Sequence, residues 1–245
     1  MWGKNTNFAA LLFAIVKVIR AVTAKEQNGG KQTKFKKPVM SDVSYFGYIE
    51  KLGGNGWLTV KLDDGFIWPL PEFLKVFVTK SANRDEFEIM EGRFVGKKAS
   101  VKKKGLWGQL WDWDGSYFES DIRAGYPYRG AAEMTFYRKS EKLKIEGLGE
   151  YYTITDPGNP TPIGLHDIEI PYELHPLGSS YTGLAKYAKT WFRVGHSGDR
   201  FLHCGNTSAG CITVKDVDKW DEIYEHLIVS RKNTESIGTV EVLDQ

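Results

Sequence analysis

The sequence has few cysteines, no long apolar run and little net charge, and each shortage excludes a class of protein. Its 245 residues include two cysteines, Cys204 and Cys211, too few for a disulfide framework. The one disulfide that remains possible joins these two cysteines across a turn. The formal net charge is +2, which by itself gives no sign of a nucleic-acid-binding surface.

The small positive charge is unevenly distributed. Residues 1–40 contain eight Lys or Arg and one Glu, whereas the rest of the chain contains 25 basic and 30 acidic residues. The body of the protein is therefore slightly acidic. Because binding to the phosphate backbone needs clustered cations, we predict no nucleic-acid partner.

The longest apolar stretch starts at Phe8 and is interrupted after nine residues by Lys17 and then Arg20. A membrane span needs roughly 20 apolar residues, and the core of a cleavable signal peptide is usually uncharged. Both interpretations therefore fit poorly. We favour an amphipathic helix over residues 8–24 that docks on a membrane surface or a protein partner. Residues 1–42 would then form a helical arm and a basic linker.

Aromatic residues make up 13% of the chain and are interspersed with 26 glycines, a composition typical of short strands and tight turns. Residues 43–130 contain about five apolar segments separated by turn signals, which predict a small all-β, SH3-like domain. A second β-rich domain spans residues 131–245 and ends with a helix and a closing strand. The predicted fold class is mainly β, with one C-terminal helix after the last turn-rich segment.

The residues that point to chemistry lie between Asp199 and Val214. Two apolar runs flank a polar, glycine-containing turn, which predicts two antiparallel strands joined as a hairpin. His203 would end the first strand and Cys211 would begin the second, which brings an imidazole near a thiol. A cysteine is nucleophilic as the thiolate, so a neighbouring base indicates covalent catalysis.

Two other interpretations of the same residues remain open. Cys211 alone could be a small buried apolar residue, although the Gly, Ser, Thr and Asn residues before it are not typical of a core. A zinc site formed by His196, His203, Cys204 and Cys211 fits no common ligand spacing. Because neighbouring strand residues point to opposite faces, Cys204 should face away from His203 and pack in the core.

The segment Ser208-Ala-Gly-Cys-Ile212 resembles the Ser-x-Gly-Cys signature of the L,D-transpeptidases, whose catalytic domain is of the YkuD type. About fifty residues upstream, Thr161-Pro-Ile-Gly164 is similar to the Thr-Pro-x-Gly segment of that family. The resemblance covers residues 131–245 and implies a YkuD-like β-sandwich. Ala209 departs from the pattern, because many family members have histidine there. The short loop resembles that of secreted-effector members.

The resemblance implies a cysteine enzyme that acts on peptidoglycan stem peptides by L,D-transpeptidation, D-amino-acid exchange or L,D-carboxypeptidase action. Cys211 would form the thioester, and either His203, which we favour, or His196 would be the base. No metal or organic cofactor is implied, and the location would be the bacterial cell envelope, the periplasm or outside the cell. The alternative is a catalytically silent peptidoglycan-binding or structural module of a secretion or phage-like particle.

Residues around this cysteine and histidine complete the predicted site. Gly210 and Ser208 would help to stabilise an oxyanion, through backbone N–H groups and a hydroxyl, and Ser197 would orient His196. Three further residues are assigned to substrate binding: Arg200, Arg193 and Thr161. The arginines are the natural partners of a substrate carboxylate.

Overall fold

The computed structural model describes residues 44–81, 84–104, 116–120 and 127–245. All described residues belong to the compact unit Met40–Gln245. The predicted helical arm and basic linker, residues 1–42, lie outside the described residues. None of the helices in the described ranges has the length and apolar content needed to cross a membrane.

The first sheet contains seven strands, and each is antiparallel to its neighbours. The strand order is β3-β2-β6-β5-β4-β1-β7. The strands are β1 (Tyr45–Ile49), β2 (Trp57–Leu62), β3 (Ile67–Pro71), β4 (Lys75–Ser81), β5 (Arg84–Ile89), β6 (Lys98–Lys102) and β7 (Phe118–Ser120). Strand β3 contains two prolines, Pro69 and Pro71. They are tolerated because β3 is an edge strand, whose outer side forms no hydrogen bonds with another strand of the sheet and so needs no N–H donor there.

The second sheet contains eight strands in the order β11-β15-β8-β9-β10-β14-β13-β12. The strands are β8 (Ala132–Tyr137), β9 (Lys142–Ile145), β10 (Gly149–Ile154), β11 (Gly164–Glu169), β12 (Phe192–Arg193), β13 (Phe201–Cys204), β14 (Ile212–Val214) and β15 (Ser236–Leu243). Short 3-10 helices cover Pro176–Tyr181 and Val217–Lys219, and the α-helix α1 covers Trp220–Ile228. The predicted mainly β fold with a C-terminal helix is confirmed.

The two sheets contribute to one hydrophobic core. Buried side chains of the first sheet, such as Ile49 and Leu70, belong to the same cluster as Phe136 of β8 and Trp220 of α1. Helix α1 buries the apolar stripe that its sequence predicts, since Trp220 and Leu227 are fully covered. The proposed domain boundary at residue 130 thus separates two sheets that share a core, and the boundary itself stays a prediction.

Buried polar contacts also connect the two sheets. Arg231, which follows α1, forms an ion pair with Glu91 at 2.8 Å, and both side chains are buried. The Tyr128 hydroxyl donates a hydrogen bond to the same carboxylate at 2.8 Å. On the other side of the helix, the Tyr224 hydroxyl donates to Glu72 at 3.1 Å. These contacts hold the second sheet and its helix against loops of the first.

Candidate active site

Strands β13 and β14 run parallel, not antiparallel as the sequence pattern predicts. Leu202 lies opposite Ile212, and His203 lies opposite Thr213. The polar loop between the strands returns the chain to the starting end of β13 instead of reversing it in a hairpin. The predicted hairpin is therefore wrong. Thr213 lies opposite His203 and points to the same face of the sheet. Since side chains alternate along a strand, Cys211, two residues before Thr213, points to that face as well.

The imidazole of His203 is buried, with 4% of the residue exposed, and both ring nitrogens have partners. Nδ1 lies 2.9 Å from the carbonyl oxygen of Cys204. A carbonyl accepts only, so Nδ1 carries the proton. Nε2 therefore holds the lone pair and accepts a hydrogen bond from the Thr213 hydroxyl at 3.1 Å. Burial lowers the pKa of His203 to about 4, so the ring is neutral at pH 7.

An indole separates His203 from a second imidazole. The ring centroids of Trp191 and His203 are 3.7 Å apart with the planes 9° from parallel, and those of Trp191 and His175 are 3.5 Å apart at 4°. Two rings at this distance cannot share one face of an indole, so Trp191 lies between them. The stack fixes the orientation of His203 and excludes water from one side of the ring.

Cys211 packs in a small apolar cluster with Trp191 and Phe201, and 8% of the residue is exposed. Its thiol donates a long hydrogen bond, 3.8 Å, to the carbonyl oxygen of Asp199. Burial raises the pKa of the Cys211 thiol, while a hydrogen bond from the Phe201 backbone and, to a smaller extent, the nearby Arg200 charge act in the opposite direction. In this resting arrangement the thiol is protonated and bonded to the backbone.

The two cysteines have different surroundings. Both thiols are free, so the possible bridge between them is not formed. Cys204 is fully buried in the main core, as the alternation along β13 predicts, and burial raises its pKa to about 12. Among the described residues, no group of three or more His, Cys, Asp or Glu side chains is arranged to hold a metal ion.

Hydrogen bonds fix the loop that carries Cys211. The Thr161 hydroxyl donates to the Gly210 carbonyl at 2.9 Å, and the Asn159 amide donates to the Ala209 carbonyl at 3.2 Å. The Ser208 hydroxyl donates to the Cys211 carbonyl at 3.0 Å and accepts from the Gly210 N–H at 3.2 Å. Thr161, predicted to bind substrate, thus holds the loop, and the Gly210 N–H, predicted to bind an oxyanion, is already engaged by Ser208.

His196, the other candidate base, lies in the loop between β12 and β13. Its Nδ1 is 3.0 Å from Glu169 and its Nε2 is 3.0 Å from Asp167, and these carboxylates raise its pKa. They orient the ring, whereas none of the hydrogen bonds among the described residues joins it to Ser197. Both His196 and Ser197 line a cavity of about 510 Å³, and Cys211 is not part of its wall.

The two arginines assigned to substrate binding are engaged with the protein. Arg193 donates to the Gly198 carbonyl at 2.8 Å and to the Tyr172 hydroxyl, and its guanidinium lies 5.3 Å from the centroid of the Phe201 ring. Arg200 donates to the side chains of Asp199 and Asn159. Each arginine therefore stabilises a segment next to Cys211.

Three residues of the site are absent from the sequence-based prediction. Thr213 could have been found, because a period of two along β14 places it on the face of Cys211. His175 directly precedes the 3-10 helix Pro176–Tyr181 and Trp191 directly precedes β12, and no local pattern connects them to His203. They show that the imidazole is enclosed by residues from separate parts of the chain.

No protein-family model and no curated protein matches the chain. Among solved structures, the chain is similar to L,D-transpeptidase 1 of Mycobacterium tuberculosis, with 21% sequence identity and a TM-score of 0.30. The match covers 46% of this chain and 59% of that one. At this TM-score the likeness does not identify the reaction, which has to be argued from the site.

Proposed function

We propose that the protein is a cysteine acyl-transferase or peptidase that acts on peptidoglycan stem peptides, with Cys211 as the nucleophile. The observation that carries the proposal is that Cys211, one residue before β14, and the neutral imidazole of His203 both pack against Trp191. The thiol lies in the segment of the chain that resembles the L,D-transpeptidase signature. The proposed working location is the bacterial cell envelope, the periplasm or outside the cell.

The proposed reaction begins with transfer of the Cys211 proton to Nε2 of His203. In this step Nε2 gives up its hydrogen bond with the Thr213 hydroxyl and accepts one from the thiol instead. The thiolate then attacks the carbonyl carbon of the stem-peptide amide, and the imidazolium returns the proton to the leaving amine. A thioester on Cys211 remains. An amine resolves it to a new amide, which gives a cross-link or exchange, and water resolves it to a carboxylate.

The tautomer of His203 suits it to the role of base, whereas its pKa does not. Burial keeps the imidazole neutral at pH 7, but a pKa of about 4 lies well below the working pH, near which a general base is most effective. The Cys204 carbonyl holds the proton on Nδ1, so the lone pair is on the nitrogen that accepts from Thr213. Oxyanion stabilisation would fall mainly on the Cys211 N–H, since Ser208 already binds the Gly210 N–H.

The alternative is a module that binds peptidoglycan, or forms part of a particle, without turnover. The closed state of the site favours it, because Cys211 is buried and bonded to Asp199 and His203 has both nitrogens occupied. Ala209, which replaces the histidine found in many family members, points the same way. The two functions differ in whether Cys211 is needed for a chemical change in the substrate.

Purified tetrapeptide muropeptides and mass spectrometry distinguish the two functions. We expect the wild-type protein to remove the terminal D-residue or to exchange it for an added D-amino acid. Cys211→Ala should abolish both reactions and trap no thioester, while a matched Cys204→Ala variant keeps the activity if it folds. Equal inertness of wild type and Cys211→Ala, together with binding of both to peptidoglycan sacculi, would overturn the enzyme proposal in favour of the binding module.

A further inference from the structure

We infer that Arg200 is the cation that stabilises the Cys211 thiolate, and that the absence of a side chain at Gly210 lets the guanidinium approach the loop that carries the thiol. This role replaces the binding of a substrate carboxylate, which the sequence suggests for Arg200. The inference extends the proposed function, since it concerns how the same thiol becomes reactive, but it can be tested without any substrate.

The guanidinium of Arg200 is held in place at several points. Its side chain is 20% exposed. One terminal nitrogen donates to the Asp199 carboxylate at 2.9 Å, and the other donates to the carbonyl oxygen and the side-chain oxygen of Asn159. Nε is buried and has no hydrogen-bond partner in the part of the chain that the structure describes. Both terminal nitrogens of Arg200 thus already donate to protein oxygens, which argues against a role in binding substrate.

Gly210 shows how closely the guanidinium approaches the loop that carries Cys211. A Cβ built on Gly210 would lie 3.0 Å from both Cζ and Nε of Arg200, and 1.9 Å from the Asn159 carbonyl oxygen. Gly210 also has a φ of 115°, which L side chains rarely adopt. The guanidinium therefore packs directly against the α-carbon of the residue that precedes Cys211.

The other titratable groups around the thiol leave Arg200 as the main cation. Asp199 precedes Arg200 in the sequence, but the Asp199 side chain is 89% exposed, so water screens its negative charge. On β13, His203 is neutral because burial lowers its pKa. His175, on the far side of Trp191, also has a lowered pKa because of burial. A positive charge near a buried thiol favours the thiolate.

The test is the pH dependence of Cys211 alkylation by iodoacetamide, followed by peptide mass spectrometry. We expect Arg200→Gln to slow the reaction at pH 7 by about tenfold and to move the profile to higher pH. Arg200→Lys keeps the charge and should restore part of the rate. Asp199→Asn removes an opposing charge that water largely screens, and should speed alkylation by about twofold. Lys80→Gln, an exposed cation in the other sheet, should have no effect.

Cys204 provides an internal control for folding, because its buried thiol reacts only when the core opens. If Arg200→Gln exposes Cys204, the comparison rests on Arg200→Lys and Asp199→Asn, whose expected effects have opposite signs. Unchanged profiles in folded variants would overturn the role of Arg200 and leave the proposed enzyme intact. Shifted profiles without turnover on muropeptides would support Arg200 and remove the enzyme proposal.

Discussion

His203 and His196 are seven residues apart in the sequence and have opposite electrostatic surroundings. His203 is buried beside Trp191 and Thr213, and burial lowers its pKa to about 4. His196 is exposed and lies between Asp167 and Glu169, which raise its pKa. A general base must carry a free lone pair at the working pH. The comparison therefore shows that the enclosed ring is neutral with its lone pair on Nε2, whereas the exposed ring lies between two carboxylates that favour its protonated form.

The comparison is tested most strongly by removing each imidazole in turn. We expect His203→Gln to lower turnover on muropeptides by about 10²–10⁴-fold, the usual contribution of a general base. His196→Gln should leave turnover near the wild-type value, because this ring binds two carboxylates and lines a cavity whose wall does not include Cys211. Release of the terminal D-residue gives the rates. Loss of turnover in His196→Gln with survival of His203→Gln would reverse the assignment.

The same contrast predicts opposite effects of pH on stability. The pKa of His203 falls from 6.5 to about 4 on folding, so between these values the unfolded state binds more protons and stability drops as the pH falls. The loss attributable to this group should reach about 3 kcal/mol near pH 4. Urea unfolding at pH 7 and pH 4 should show a smaller acid loss in His203→Gln than in the wild type. Equal losses would indicate that the ring is not buried in its neutral form.

The smallest expected effect belongs to His196. Its pKa is raised on folding, so the stability that it adds is fully present below its unfolded pKa and is lost as the pH rises through its folded pKa. Because this side chain is 44% exposed, solvent screening keeps the contribution below about 1 kcal/mol. Unfolding of wild type and His196→Gln should differ at pH 5.5 and converge at pH 8.5. A difference that grows with pH would contradict this assignment.

Much of the fold can be predicted from local sequence patterns. Alternating apolar residues indicate most of the strands, and the spacing of Trp220, Tyr224 and Leu227 indicates the helix that the structure contains. The parallel pairing of β13 and β14 could not be predicted in this way. A glycine-containing turn between two short apolar runs is typical of a hairpin, and the direction of β14 is set instead by its antiparallel pairing with β10, sixty residues earlier.

The site was predictable only where its residues are close in sequence. Cys211, Gly210 and Ser208 belong to one loop, and a single motif indicates them. The properties of His203 depend on Trp191 and His175, which reach it through tertiary packing. Burial and stacking of this kind change a pKa without leaving a local pattern, so the sequence could nominate the imidazole but could not show that it is neutral.

The buried ion pair between Glu91 and Arg231 has a consequence for modularity. Its partners come from opposite sides of the predicted boundary at residue 130. A chain that began after that boundary would lose Glu91, and it would expose to water the apolar side chains of the second sheet that pack in the shared core. An exposed apolar face of this size favours aggregation. The second sheet is therefore expected to need the first as a covering layer when it is produced as a separate chain.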